Sequence, residues 1–149
     1  MNELCTNNIY EREMTAWERM LNMSPYSIVS MVARINGNVT EQMLRAAVGK
    51  VQERHTLLRV KIILKDGSVP WFTSQNVSQI PIEVKPREDK ETWIRVFEEE
   101  CKKPFEFDRQ TPIRFFLVHS ESKSDLLIFC HQWQVLALPH QNFHDFFLF

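Results

Sequence analysis

The sequence predicts an α+β fold in which helices pack on a mixed β-sheet. Two segments carry apolar residues at three- and four-residue steps, and several short apolar runs are bounded by turn signals. A chain of 149 residues with 44% hydrophobic and 25% charged residues is typical of one globular domain. The order of these segments is strand, helix, several strands, helix and a final hairpin, which favours helices covering a sheet.

The N-terminal half carries two helix-start signals around one strand. Residues 15–18 have the spacing of a capping box and predict a short helix that ends before Ser24. The alternating residues 27–35 predict a largely buried strand. Thr40 is placed to cap a helix that reaches residue 54. The predicted buried stripe of that helix comprises Met43, Leu44, Ala47, Val48 and Val51.

The middle of the chain reads as three strands. Residues 58–64 predict a strand, and Asp66-Gly67 predicts a hairpin turn that returns the chain as a strand over residues 71–73. Residues 80–84 predict a short strand, and the flanking prolines place it at a sheet edge.

The C-terminal half adds one helix and a hairpin. Residues 90–102 predict a helix with Asp89 as its cap and with Trp93, Val96 and Phe97 as its buried stripe. Two strands follow, over residues 113–119 and 125–131. We expect both long helices to pack on the same side of a sheet that contains these two strands and residues 27–35.

Composition excludes several classes of function. The formal charge of −1 offers neither a nucleic-acid footprint nor a polybasic membrane patch. Three dispersed glycines cannot form a glycine-rich phosphate loop. Three distant cysteines without a CxxC pair indicate neither a disulfide framework nor a zinc site, and free thiols fit a reducing cytoplasm. The N-terminus lacks a secretory signal, and no apolar run is long enough for a transmembrane helix.

Histidine and cysteine are the candidates for chemistry. His140 and His144 would share a helix face as metal ligands do, but chance spacing is the simpler explanation, so no metal is expected. His131 ends a predicted strand, where it is either a satisfied edge histidine or part of a site on the next loop. Cys130 and His131 are adjacent strand residues on opposite faces, so they are not expected to form a nucleophile–base pair.

The composition changes after His131. Residues 132–149 contain a single charged residue, Asp145, and four of the eleven phenylalanines. Pro139 interrupts any continuous helix, and no hydrophobic period is sustained. We therefore expect an aberrant apolar tail over residues 132–149, of which residues 133–149 contribute little to the fold, and a flexible N-terminal segment over residues 1–12.

Several segments occur in the order and spacing of one family. They are Thr15-Ala-Trp-Glu-Arg-Met20, Ile35-Asn-Gly37 with Thr40-Glu-Gln-Met-Leu44, Arg54-His-Thr-Leu-Leu-Arg59, Trp71-Phe72, Pro104-Phe105, Pro112-Ile-Arg114 and Leu126-Leu-Ile-Phe-Cys-His131. Together, residues 13–131 resemble the N-terminal lobe of the condensation-domain superfamily of acyltransferases. That superfamily includes nonribosomal peptide synthetase condensation domains, alcohol acetyltransferases and phthiocerol dimycocerosyl transferase-like enzymes.

The resemblance implies a chloramphenicol acetyltransferase-like half and a tunnel shared with a second lobe. It also implies an HHxxxDG motif directly after the strand at 125–131. The second histidine of that motif is the general base on an alcohol or amine acceptor, which then attacks an acyl thioester. The implied donor is acyl-CoA or a phosphopantetheine-linked acyl group on a carrier protein, with no bound cofactor. The motif aspartate pairs with the second arginine of the RHxxLR element, here Arg59, and His55 lies beside it.

This sequence departs from the motif at its decisive position. His131 matches the first histidine, but Gln132 stands at the second, and Leu136 and Ala137 stand where aspartate and glycine are expected. A glutamine amide cannot take up a proton at neutral pH, so the general base is missing, and Arg59 loses its carboxylate. These departures predict an inactive, truncated fragment of an acyltransferase. Two alternatives remain: a non-catalytic binding module, or one lobe of a split enzyme whose C-terminal lobe is a separate partner.

Overall fold

The computed structural model describes residues 9–24 and 26–137 of the chain. The elements in chain order are β1 (Glu11–Glu13), α1 (Ala16–Leu21), β2 (Ile28–Asn36), α2 (Glu41–Arg54), a 3-10 turn (Thr56–Arg59), β3 (Lys61–Lys65), β4 (Val69–Thr73), β5 (Ile82–Pro86), α3 (Thr92–Glu100), β6 (Ile113–His119), β7 (Lys123–His131) and α4 (Gln132–Ala137). The predicted α+β class is confirmed.

A four-stranded mixed sheet with the order β2-β7-β6-β5 forms the centre of the fold. β7 pairs antiparallel with both β2 and β6, and β5 pairs parallel with β6. The predicted strands at 27–35, 113–119 and 125–131 therefore share one sheet, and the proline-flanked strand lies at its edge, as expected. β2 forms the opposite edge and is only half-buried, so the expectation of a largely buried strand there is wrong.

The helices α2 and α3 cover opposite faces of this sheet, which corrects the prediction that both lie on one side. Leu44 and Val48 of α2 pack against a face that includes Leu117. Val96 of α3 packs against the other face, with Val118 of the same strand. Because β6 and β7 are apolar at consecutive positions, both faces of the sheet need cover, and one helix supplies each.

The predicted buried stripe of α3 is confirmed, because Val96 is buried and Trp93 and Phe97 pack against the same cluster. The stripe of α2 and the cap of α3 differ in detail from their predictions. Leu44 and Val48 are buried, but Met43 is 59% exposed, so the buried stripe of α2 is narrower than predicted. Thr40 caps α2 by accepting a hydrogen bond from the Met43 backbone N–H at 3.2 Å. The N-cap residue of α3 is Glu91 rather than Asp89. The Asp89 carboxylate instead accepts a hydrogen bond from the Glu91 backbone N–H.

A second, three-stranded sheet with the order β1-β4-β3 packs beside the first. Asp66 and Gly67 turn the hairpin with positive φ angles of 52° and 80°, as the Asp-Gly signal predicts. The predicted strand over 58–64 starts too early, because Thr56–Arg59 form a 3-10 turn. The predicted flexible segment 1–12 extends too far, since β1 pairs with β4, while residues 1–8 lie outside the described residues.

A bidentate ion pair ties β1 to α1. Arg12 donates from Nη2 and Nη1 to the two carboxylate oxygens of Glu18 at 2.6 and 2.7 Å. Glu18 also completes the predicted capping box, because its carboxylate accepts from the Thr15 backbone N–H at 2.8 Å. Arg12 first, then Thr15, lowers the pKa of Glu18 below its ordinary value, although partial burial opposes this.

The chain after His131 continues directly into α4 and enters the core. Trp133 is completely buried and contacts the Phe72 ring, with 4.7 Å between ring centroids. Gln134 is 2% exposed and donates to Thr111 Oγ1 at 2.8 Å. The expectation that residues from 133 onward contribute little is therefore wrong for these two side chains. Residues 138–149 of the predicted tail lie outside the described residues.

We expect Trp133→Ala to lower the free energy of unfolding by about 3–5 kcal/mol, because it leaves a cavity against Phe72. The measurement is urea denaturation followed by circular dichroism. The matched control is Trp17→Ala on α1, since Trp17 is 59% exposed and its loss leaves no cavity. Equal effects of the two substitutions would contradict the structural role of α4.

We expect acid to weaken the fold through Glu18. Its pKa is lower in the folded than in the unfolded chain, so its stabilising contribution is complete above its ordinary value of 4.5 and is lost as pH falls through the folded pKa. Glu18→Gln should therefore flatten the dependence of unfolding free energy on pH below about 5. Glu13→Gln, which removes an exposed pair with Arg19, should change stability at pH 7 by less than about 1 kcal/mol. An unchanged acid slope in Glu18→Gln would refute this assignment.

Candidate functional site

His131 ends β7 at the junction between the two sheets. Its ring is completely buried and lies among three aromatic side chains. The ring centroids of Phe107, Trp133 and Phe105 lie 5.1, 6.2 and 6.4 Å from that of His131. The interpretation of His131 as a satisfied edge histidine misplaces it, because β7 is a central strand and this side chain belongs to the interior.

Both imidazole nitrogens of His131 face backbone groups. Nε2 lies 2.8 Å from the Ser24 carbonyl oxygen, which can only accept, so Nε2 carries the proton. Nδ1 then accepts from the Trp133 backbone N–H at 3.5 Å. Burial lowers the pKa of His131 below its ordinary value, and the smaller effect of the Ser24 hydrogen bond raises it. The ring is thus neutral at pH 7 and offers no lone pair to a substrate in solution.

Gln132 is the first residue of α4 and points outward. Its side chain is exposed, and its backbone N–H donates to the Ser27 carbonyl at 2.9 Å, which anchors α4 to the start of β2. The side chain at position 131 is therefore buried, whereas the side chain at position 132 is exposed to solvent. Of these two residues, only the second can contact a substrate, and it is an amide that cannot act as a base.

Arg59 and His55 bracket the 3-10 turn between α2 and β3. Arg59 is exposed, and within residues 9–24 and 26–137 no carboxylate oxygen lies within 4.0 Å of its guanidinium. It lines a polar groove of about 620 Å³ together with Gln52, Ser74 and Asn76. His55 is half-buried and ends α2, where its backbone N–H donates to the Val51 carbonyl. Within residues 9–24 and 26–137, neither Arg59 nor His55 forms a hydrogen bond or a ring contact with His131.

The positions expected for the motif aspartate and glycine, Leu136 and Ala137, fall in the last turn of α4. Gln134 provides the polar contacts of this helix instead, donating from Nε2 to Thr111 Oγ1 and to the Leu57 carbonyl at 3.3 Å. Among the side chains of α4, a neutral amide thus forms the hydrogen bonds to the 3-10 turn and to Thr111.

Cys130 lies on the other face of β7 from His131, as the alternation predicts. Its thiol packs against the cluster under α2 and donates to the Val29 carbonyl at 3.7 Å. Burial raises the pKa of Cys130 to about 12, so the thiolate needed for nucleophilic attack is scarce at neutral pH.

Sequence reasoning missed a buried carboxylate, Asp125, on the same face of β7 as His131. It is 1% exposed and is bound by Arg34 Nε at 2.7 Å and Arg87 Nε at 3.0 Å. An aspartate directly before the apolar residues 126–129 of a predicted strand was the available signal, because a buried carboxylate requires cationic partners.

For a metal site and for a transmembrane helix, the structure gives information on the described residues alone. Within residues 9–24 and 26–137, no group of three potential metal ligands is present. His140 and His144 lie outside that part. No helix among the described residues is long and apolar enough to cross a bilayer.

A mixed sheet covered on both faces, with a histidine ending its central strand, is one lobe of a chloramphenicol acetyltransferase-like fold. The sequence model of the Condensation domain matches residues 7–131, and the chain belongs to that family.

The aligned region takes up most of this chain but only a small part of each similar protein. It is 32% identical over 101 residues to surfactin synthase subunit 2 of Bacillus subtilis (strain 168), covering 67% of this chain and 3% of that protein. The tallysomycin biosynthesis protein TlmII has a TM-score of 0.69 at 21% identity, covering 92% of this chain and 36% of the other. The epimerization domain from the third module of tyrocidine synthetase B has a TM-score of 0.70 at 15% identity, covering 93% and 33%. The chain thus spans about a third of these two structures.

We expect stability to fall on mild acidification because of His131. Its pKa is lower in the folded chain than its ordinary value of 6.5, so the unfolded chain binds the proton first. The unfolding free energy should therefore decrease as pH falls from about 6.5 toward the folded pKa. His131→Gln, which keeps a donor for Ser24, should remove this decrease.

The control is His119→Gln on β6, which should retain the decrease because His131 is intact. Urea titrations at closely spaced pH values measure both variants. An identical pH profile for His131→Gln and the unsubstituted chain would show that another group is responsible.

Proposed function

We propose that this chain forms the N-terminal lobe of a condensation-type acyltransferase and does not catalyse transfer by itself. The family supports acyl or peptidyl transfer from a thioester, and the similarity to surfactin synthase subunit 2 supports a role in nonribosomal peptide synthesis. The donor is an acyl group on the phosphopantetheine arm of a carrier protein or on coenzyme A, and the acceptor is an amine or alcohol. The lobe acts in the cytoplasm.

The inactivity is inferred from the residues at positions 131 and 132, where a buried histidine is followed by an exposed glutamine. A neutral amine or alcohol attacks a thioester efficiently only when a group with a pKa near the working pH removes its proton. His131 holds its two nitrogens against Ser24 and Trp133 and is completely buried. Gln132 is exposed but cannot accept the proton.

A second candidate, one lobe of a split enzyme, is favoured by Arg59. This guanidinium is exposed in a polar groove, with no carboxylate within ion-pair distance among the described residues. A separate lobe that supplies a carboxylate to Arg59 would also complete the substrate channel. In that arrangement, the partner lobe has to provide the general base as well.

We expect the purified full chain to transfer no acyl group from acyl-CoA or acyl-carrier protein to amine or alcohol acceptors above the uncatalysed rate. Loss of a general base alone typically lowers the rate by about 10²–10⁴-fold. Product formation followed by mass spectrometry measures this. Turnover that disappears in Gln132→Ala, with the fold retained, would overturn the proposal.

The split-enzyme candidate has its own test. Reading the nucleotide sequence around codon 131 in all three frames, and the gene that follows, shows whether a second lobe is encoded. If that lobe restores transfer when mixed with this chain, Arg59→Ala should abolish the restored activity, whereas Arg45→Ala on the exposed face of α2 should not.

A further inference from the structure

The outer edge of β2 is open in the described structure. β2 pairs with β7 on one side only. The Ser27 carbonyl accepts from Gln132 N–H, and Gly37 N–H donates to the Ser122 carbonyl, so odd-numbered residues direct their backbone groups toward β7. Backbone groups alternate in direction along an antiparallel strand. Ser30, Val32 and Arg34 therefore direct their N–H and C=O groups to the open edge.

An apolar groove of about 540 Å³ runs beside this edge. Ile35 and Leu126 of the sheet line it on one side. Apolar residues of α2 and the preceding loop line the other side, together with the charged Lys50 and Arg54; the apolar ones include Val39, Met43, Ala47 and Val51. α2 leans toward the other edge of the sheet, where Arg45 donates to the Ile82 carbonyl of β5 at 3.2 Å, and this leaves the β2 side of the face uncovered. The exposed Met43 side chain faces this uncovered space. One more strand beside β2 would place alternate side chains in the groove.

We propose that the strand that completes this sheet is β2 of a second copy of the chain, paired antiparallel about Val32. The register centred on Val32 pairs all nine residues of the strand. On the groove face it sets Val29 against Ile35 of the second copy and Met31 against Ala33. On the other face Val32 meets itself. These pairs are apolar, and the two remaining kinds of pair set Ser30 against Arg34 and Ile28 against Asn36.

Charge supports the same register. Arg34 is the single charged residue of β2, and this register sets it opposite Ser30, so no like charges face each other. Centring the pair on Arg34 instead would oppose two guanidinium groups. Arg34 also keeps its ion pair with Asp125, which lies toward β7. The formal charge of −1 per chain gives little repulsion between copies.

Backbone hydrogen bonding also favours the register centred on Val32. Val32 and its symmetry mate would exchange both N–H···O=C bonds, and so would each Ser30 with the opposite Arg34. The long edge strand lacks proline and carries one charge, so it has few of the features that normally prevent such pairing. The result is one continuous eight-stranded sheet. This inference does not depend on the proposed function.

Two substitutions at the symmetry axis test the proposal. The full chain should show a mass twice that of one 17.8 kDa chain by light scattering, with a dissociation constant on the order of micromolar, the weak end of the range for specific interfaces. Val32→Pro removes the outward N–H without touching the β7 pairing, and Val32→Lys opposes two charges. Each should raise the dissociation constant about tenfold or more while the circular dichroism spectrum is retained.

A thiol introduced at the axis identifies the interface. In a hydrogen-bonded antiparallel pair the Cα atoms lie about 5.5 Å apart, which a disulfide spans. Val32→Cys should therefore form a covalent dimer on mild oxidation, and peptide mapping should show the introduced thiols of the two copies linked to each other. Glu83→Cys, on the opposite edge strand β5, is the control and should remain monomeric on denaturing gels.

Three results would overturn the proposal. One is a monomeric mass at every concentration tested. Another is a dimer whose dissociation constant neither variant changes, which would place the interface elsewhere. The third is equal cross-linking of the two thiol variants. The outcome of the dimerisation measurements does not depend on whether the chain transfers acyl groups.

Discussion

The burial of β7 on both faces is the constraint on which the rest of the fold depends. Leu126 and Ile128 lie in one apolar cluster, and Leu127 and Phe129 lie in the other. A strand of this kind is stable only between two other strands and between two covering layers. β2 and β6 supply the neighbours, and α2 and α3 supply the layers. The second sheet and α4 then close the end of the strand, where Trp133 meets Phe72.

The same constraint explains which parts of the fold could be predicted from the sequence. Capping residues and turn residues act locally, so the helix beginning after Thr15 and the hairpin at Asp66-Gly67 could be placed correctly. The side on which each helix packs depends on how the chain crosses the sheet, which local patterns do not contain. The apolar residues at consecutive positions of β6 did carry that information, because a strand apolar on both faces cannot have both helices on one.

Buried charge was the part of the structure that the interpretation of the sequence missed. Asp125 joins Arg34 of one edge strand to Arg87, which follows the other edge strand. Glu100 on α3 is similarly buried and pairs with Arg114 at 3.2 Å. Removing one partner of such a pair leaves a buried charge uncompensated, which is far more costly than losing an exposed pair. These carboxylates therefore fix how the edges and α3 meet the central strands, although neither belongs to a recognisable sequence motif.

The chemistry of the candidate site depends on the alternation at the end of β7. His131 follows Leu127 and Phe129 on one face, so the strand geometry directs it inward, where only backbone groups and aromatic rings can contact it. The next residue begins α4 and is directed outward. Of these two positions, only 132 presents its side chain to the surface. A proton acceptor there would be accessible from outside the lobe, but the glutamine at this position cannot take up a proton.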